Sequence, residues 1–156
     1  MYKYIGLIIL FLCSVFIGQT ISAKYRLSVR QTDAFIQFIK YIKSQIEHYN
    51  TSYPEIFDKF TNNILHDFTD KLHTNEWISA LDNTAFSFDD NIKEILYSFG
   101  HELGKSMRDE QIANCLYTIE QLEIHYNNLK SELPKKTKLC TSLSLMTGLS
   151  IVIIFI

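Results

Sequence analysis

Glycine and proline are scarce, five and two in 156 residues. No linker rich in either divides the chain, and no internal repeat is visible, so helices joined by short connections are favoured over a multidomain or fibrous layout. Cysteine is equally sparse: Cys13, Cys115 and Cys140 form no C-x-x-C pair. A disulfide framework is excluded, which suits a reducing compartment. The five histidines never pair at i, i+4; His101-Glu102 lacks the second histidine of a zinc-protease helix, because Lys105 stands in its place. No G-x-S-x-G elbow occurs and no serine or cysteine has a nucleophile context. These gaps leave no catalytic residue, metal ligand, cofactor or small-molecule substrate to assign. The lone tryptophan, Trp77, reads as a core anchor.

Acidic residues are missing from both ends. All 17 lie between Asp33 and Glu132, among eight basic residues, so that span carries a net −9 with basic flanks. So acidic a body is a poor nucleic-acid binder. Charge of either sign is absent from Tyr4 to Ala23 and from Leu139 to Ile156. At about 1.5 Å per residue the first run reaches about 30 Å, enough to cross a bilayer. A cleaved signal peptide competes, with Lys3 as its basic start and Ile21-Ser22-Ala23 as its cleavage site; the bulky isoleucine and the length favour a retained anchor. The second run is near the lower length limit, and its hydroxyls can bond back to their own helix or face a neighbour. Lys24, Arg26 and Arg30 follow the first run, and Lys130, Lys135, Lys136 and Lys138 precede the second. The positive-inside rule puts residues 24–138 in the cytoplasm, between membrane helices over 4–23 and 139–156.

Between these ends the periodicity predicts about six helices and no strand. The first runs from about Leu27 to Tyr49, continuous with the span, with Phe35, Phe38, Ile39, Ile42, Ile46 and Tyr49 on one stripe. Ser52 with Glu55 caps the next, with Pro54 tolerated in its first turn. Ile56, Phe57, Phe60, Ile64, Phe68 and Leu72 continue the pattern as one bent helix or two short ones. A short segment carries Trp77, Ile78 and Leu81; Ser87 with Asp90 caps a helix bearing Ile92, Ile95, Leu96, Phe99 and Leu103. The fold class is all-α, a bundle between two membrane helices.

Tyr97 to Glu123 is the centre of this layout. Gly104 is placed to end one helix in a left-handed conformation, and Gly100, on the same face, lets another backbone come close. Ser106 with Asp109 forms the cap of a long last helix, whose seam is Ile112, Leu116, Ile119, Leu122, Tyr126, Leu129 and Leu133; Pro134 stops it. Gly100-His-Glu-Leu-Gly-Lys-Ser106 imitates a phosphate loop, but three residues separate its glycines where four are needed, and a helix precedes it where a strand should. Lys105 and Arg108 mark a polar turn able to meet a partner.

With these residues in place, the chain resembles the stage III sporulation protein AB family over nearly its whole length. Trp77 with Ala80 and Leu81, then Phe99, Gly100, Leu103, Gly104, Ser106, Gln111 and Glu123 carry the likeness, and FGHELGKSMRDEQI is its most specific piece. The final run departs from the pattern: Gly148 stands alone among hydroxyl residues where relatives are richer in glycine. The resemblance implies a non-enzymatic platform in a channel-like complex joining mother cell and forespore, with a soluble part similar to the type II secretion F platform protein. It implies a place in the mother-cell membrane around the forespore. It implies contact with the complex's cytoplasmic ATPase, the AA protein, and with the other membrane subunits and lipid. A membrane-anchored adaptor of another secretion-type system and a small membrane enzyme are the alternatives; the enzyme lacks any paired catalytic constellation.

Overall fold

With so few helix breakers, the ends of the chain should continue into its body without interruption, and they do. The computed structural model describes residues 2–49, 53–74 and 76–155, and the side chains of all of these except 2–11, 14, 49, 74, 151, 152, 154 and 155. Among the described residues there are six helices and no strand: α1 (Tyr2–Tyr49), α2 (Tyr53–Lys59), α3 (His66–Thr74), α4 (Trp77–Asp82), α5 (Asp90–Glu102) and α6 (Arg108–Phe155). Two compact units form, residues 28–128 and residues 1–27 with 129–156.

The core of the first unit is aromatic. Phe35, Phe38, Phe68 and Phe99 are at most 1% exposed, and Trp77 is 5% exposed. Trp77 stacks on Phe38 at 5.8 Å between ring centres and meets Phe68 and Phe99 edge-on at 5.1 Å each. Phe35 gathers Phe68, Phe86 and Phe88 edge-on within 6 Å. Each buried large side chain contributes about 1.5–3 kcal/mol of transfer free energy, and edge-on pairs about 0.5–1.5 kcal/mol more. The aliphatic layer around the rings is Ile39, Ile42, Ile56, Leu65, Ile92 and Leu96, all fully buried.

Helix boundaries follow local polar groups more than capping pairs in the sequence. The expected break after α2 occurs at Asn62, whose side-chain oxygen accepts from Ile64 N–H at 2.8 Å, and this turn buries Leu65 rather than Ile64. Ser87 does not cap α5: Asp89 occupies that position, and Ser87 N–H donates instead to Gln31 Oε1 at 2.8 Å. The expected cap at Ser52 lies outside the described residues. Pro134 does not stop α6, which runs through it. Proline removes one backbone bond and crowds the carbonyl four residues back, a cost that a helix extending more than 20 residues on each side absorbs.

In the second unit the usual burial pattern is inverted. Leu12, Phe16, Ile17, Leu139, Leu143, Met146, Leu149 and Ile153 are each more than half exposed, whereas Gly18, Ser22 and Gly148 are buried. A Cβ added at Gly18 would lie 2.7 Å from Ser144 Cβ, so α1 and α6 approach closely through small residues here. Ser22, Thr141, Thr147 and Ser150 donate back to carbonyls four residues earlier, as the hydroxyl-rich run allowed. Among the described residues no helix is long and apolar enough to cross a membrane. Residues 4–11 and 14 of the Tyr4–Ala23 run, and most of the last six residues of the Leu139–Ile156 run, lie outside the described side chains.

Candidate functional site

The turn between α5 and α6 gathers Leu103, Gly104, Ser106 and Gln111. Leu103 has φ −62 and ψ 123, Gly104 has φ +79, and Lys105 N–H donates to Glu102 C=O at 3.2 Å. Those angles define a type II turn, whose third position requires a left-handed residue, and glycine adopts that without strain. The last helix then starts one residue later than the Ser106–Asp109 pair suggested. Met107 C=O accepts the first helical bond, from Gln111 N–H at 2.9 Å, so Met107 is in the capping position and Ser106 lies in the turn.

The side chains of the first turn of α6 tie it to its neighbours. Gln111, 3% exposed, donates from Nε2 to Glu102 C=O at 3.1 Å and accepts at Oε1 from the Tyr53 hydroxyl at 3.2 Å. One amide thereby joins the end of α5, the start of α2 and the first turn of α6. Arg108 Nε donates to Ile46 C=O at 3.0 Å and a terminal nitrogen donates to Glu47 C=O. These are carbonyls of the last turn of α1, which a cation satisfies well. The Arg108 guanidinium is thus tied to the end of α1, and Arg108 and Lys105 are both exposed.

Gly100 has a different role from the one its spacing suggested. A Cβ there would fall 2.0 Å from Trp77 Cδ1 and 2.7 Å from Trp77 Nε1. What comes close is the indole of α4 and not a second backbone. Trp77 Nε1–H donates to Leu96 C=O at 3.0 Å, a carbonyl reached only because the helix has no side chain at Gly100. Phe99, 1% exposed, closes the far side of the ring.

The indole forms part of a cleft of about 680 Å³. Pro54, Phe57, Leu72, Leu103 and Gly100 give it an apolar floor, and Glu76, His101 and Lys105 stand at its rim with the Asp58–His73 pair at 3.2 Å. Lys105 Nζ contacts His101 Nδ1 directly. The cleft thus brings together Trp77, Gly100, Leu103 and Lys105, with Gly104, Gln111 and Phe99 behind them. Glu123 lies elsewhere, paired with Lys40 at 2.6 Å on a surface about half exposed. Sequence reading missed Tyr53, Asp58 and His73 at this site; 15 residues separate the last two, and no spacing rule joins them.

Titration reflects the packing. Burial pushes the Cys115 thiol up to about 11, with Lys43 pulling weakly the other way. Burial also raises the Tyr53 phenol above its ordinary value; Cys115 adds to this and the Gly104 backbone opposes it. A thiol so shifted is a packed core group and not a nucleophile at neutral pH. Among the described residues no three His, Cys, Asp or Glu gather into a set able to hold a metal ion. An apolar floor with a mixed polar rim is suited to receiving a side chain of another macromolecule.

No curated protein and no solved structure matches the chain. The family model of stage III sporulation protein AB matches residues 3–156, essentially the whole chain, so the chain belongs to the stage III sporulation protein AB family.

Proposed function

We propose that the chain is a non-enzymatic platform subunit of the mother cell–forespore channel complex needed for spore formation. It is held in the mother-cell membrane around the forespore by both ends and docks the cytoplasmic ATPase, the AA protein, alongside the other membrane subunits. The observation that carries the anchoring is the inverted burial among the described side chains of residues 12–27 and 129–153. A helix pair in water buries leucine and exposes polar residues; this one packs glycine and serine and turns Phe16, Met146 and Ile153 outward. In lipid, tails solvate large apolar side chains and small residues permit helix contact. The lysines and arginines beside both uncharged runs favour a cytoplasmic body. The apolar floor of the Trp77 cleft supports a docking role, as does the surplus of carboxylates on the body.

The experiment is topology mapping with a reporter fused at Asn83 and at each terminus, together with alkaline carbonate extraction and deletion in a sporulating cell. Cytoplasmic signal at Asn83 only, retention in the pellet, and arrest after engulfment are expected. A constitutive protein whose deletion leaves spores normal would refute the proposal.

A further inference from the structure

A second surface lies on the other side of α5. The five-residue connection from α5 to α6 makes them antiparallel neighbours, and between them runs a groove of about 430 Å³. Glu94, Ile95 and Ser98 line it from α5, and Tyr117, Gln121 and His125 from α6. No lysine or arginine lines it. Along α6, Tyr117 is 63% exposed and Ile124 is 50% exposed, and Glu120 falls between them on the same helical face. Neither Glu94 nor Glu120 takes part in an ion pair among the described residues, whereas Glu47 of α1, Glu55 of α2, Asp67 and Asp70 of α3 and Glu123 of α6 do.

We propose that this groove is the docking site of a basic amphipathic helix from a partner protein. Its apolar side seats on Ile95 and Tyr117 in the groove and on Ile124 beside it, and its cationic residues face Glu94 in the groove and Glu120 on the adjoining face of α6. The commitment to a basic partner comes from charge. Residues 28–128 hold 16 acidic and eight basic residues, a net −8. A second copy would bring the same acidic groove against this one, and an anionic lipid surface would be repelled. A third helix laid between two antiparallel ones is the natural occupant of such a groove, reading it at helical spacing. The proposal deepens the platform reading and rests on it.

The test uses the full chain in nanodiscs of phosphatidylcholine, with empty nanodiscs as control. The probe is a labelled Leu/Lys amphipathic helix of about 18 residues, with its Leu/Glu counterpart as the wrong-sign control. The lysine peptide should bind above the empty discs, and its Kd should rise about tenfold between low and physiological salt. Hydrogen exchange on the unmodified chain should show protection at 91–98 and 117–125. Glu94→Lys with Glu120→Lys, and separately Tyr117→Ala, should each weaken binding about tenfold. Asp67→Lys with Asp70→Lys, the same charge change on α3, should leave it within about twofold. Unchanged Trp77 emission certifies the fold of each variant. Equal weakening by the α3 pair, protection elsewhere, or no binding above empty discs would overturn the proposal. So would a dimer that the groove charge reversal dissolves, since a second copy would then be the occupant. Failure here with normal membrane retention and spore arrest sinks the groove and spares the platform; the reverse pattern does the opposite.

Discussion

Gly100→Ala tests the reasoning about the indole most directly, because two effects of opposite sign compete at one atom. Gly100 lies inside α5, where replacing glycine by alanine in an ordinary position stabilises by about 1 kcal/mol. Here the new methyl would sit 2.0 Å from Trp77 Cδ1 and 2.6 Å from Cγ. The ring cannot yield easily, since Phe38 stacks on it and Phe68 and Phe99 hold its edges. Overpacking costs about 1–3 kcal/mol. Displacing the ring also breaks the bond from Nε1 to Leu96 C=O. That carbonyl keeps its helical partner, but a buried indole N–H without an acceptor costs about 1–3 kcal/mol. The net expectation is destabilisation of about 1–5 kcal/mol, against about 1 kcal/mol of stabilisation from propensity alone. Trp77 is the only tryptophan, so its fluorescence during urea unfolding of the full chain in detergent reports this region without ambiguity. Native emission should shift to the red if the ring is expelled. In a Trp77→Phe background, followed by circular dichroism, the penalty should shrink, and the difference is the coupling between the two positions. A Gly100→Ala protein as stable as the parent, with unshifted emission, would refute the close approach and with it the account of the cleft floor.

Three further outcomes follow from the same contacts. With Cys13 and Cys140 replaced by serine, Cys115 should resist a thiol reagent at pH 8 until the protein is unfolded, because burial holds it protonated. Its folded pKa of about 11 lies above the ordinary 9.0, so its contribution to stability is complete below pH 9 and lost as pH rises toward 11; Cys115→Ala should flatten that fall. Gln111→Ala strips the Tyr53 hydroxyl of its acceptor while Glu102 C=O keeps Lys105 N–H, and urea midpoints should report a loss of about 1–3 kcal/mol. Arg108→Ala should speed hydrogen exchange in the last turn of α1, and Arg108→Lys should restore little of it, since a single ammonium does not reproduce the fork that reaches both Ile46 and Glu47.

Much of the body is legible in the sequence because its signals are local. The stripe Phe35, Phe38, Ile39, Ile42 and Ile46 is read off at helical spacing and is buried as a stripe. Gly104 announces a left-handed position because nothing else fits a helix end followed by a type II turn. Capping pairs were less faithful. Ser87 and Ser106 have the right spacing, yet Asp89 and Met107 hold the capping positions, while the amides of Gln31 and Gln111 bond Ser87 N–H and Glu102 C=O. Such contacts join residues 56 and nine apart in the chain, and no short window contains the first of them. The Gly100–Trp77 contact was hidden for the same reason: the glycine states that something comes close, but not what.

The last helix shows what hydrophobic periodicity measures. The expected seam passed through Ile112, Leu116, Ile119 and Leu122; the buried face is Gln111, Cys115, Thr118, Ile119 and Leu122, and Leu116 is 52% exposed. Periodicity ranks residues by the gain on burial, but contact between helices also depends on how near their axes can come. Cys115 and Thr118 are small, so turning them inward brings α6 close enough to α1 for Lys43 to be felt at the Cys115 thiol and for Lys40 to reach Glu123. Burying Leu116 instead would hold the helices apart and leave the ring cluster unsealed. Gly18 and Ser144 follow the same rule in residues 1–27 and 129–156, where large apolar groups are again displaced outward. Small residues thus mark where this chain touches itself. The large apolar residues they displace are left on the outside of both units, Phe16 and Met146 in one and Leu116 and Tyr117 in the other.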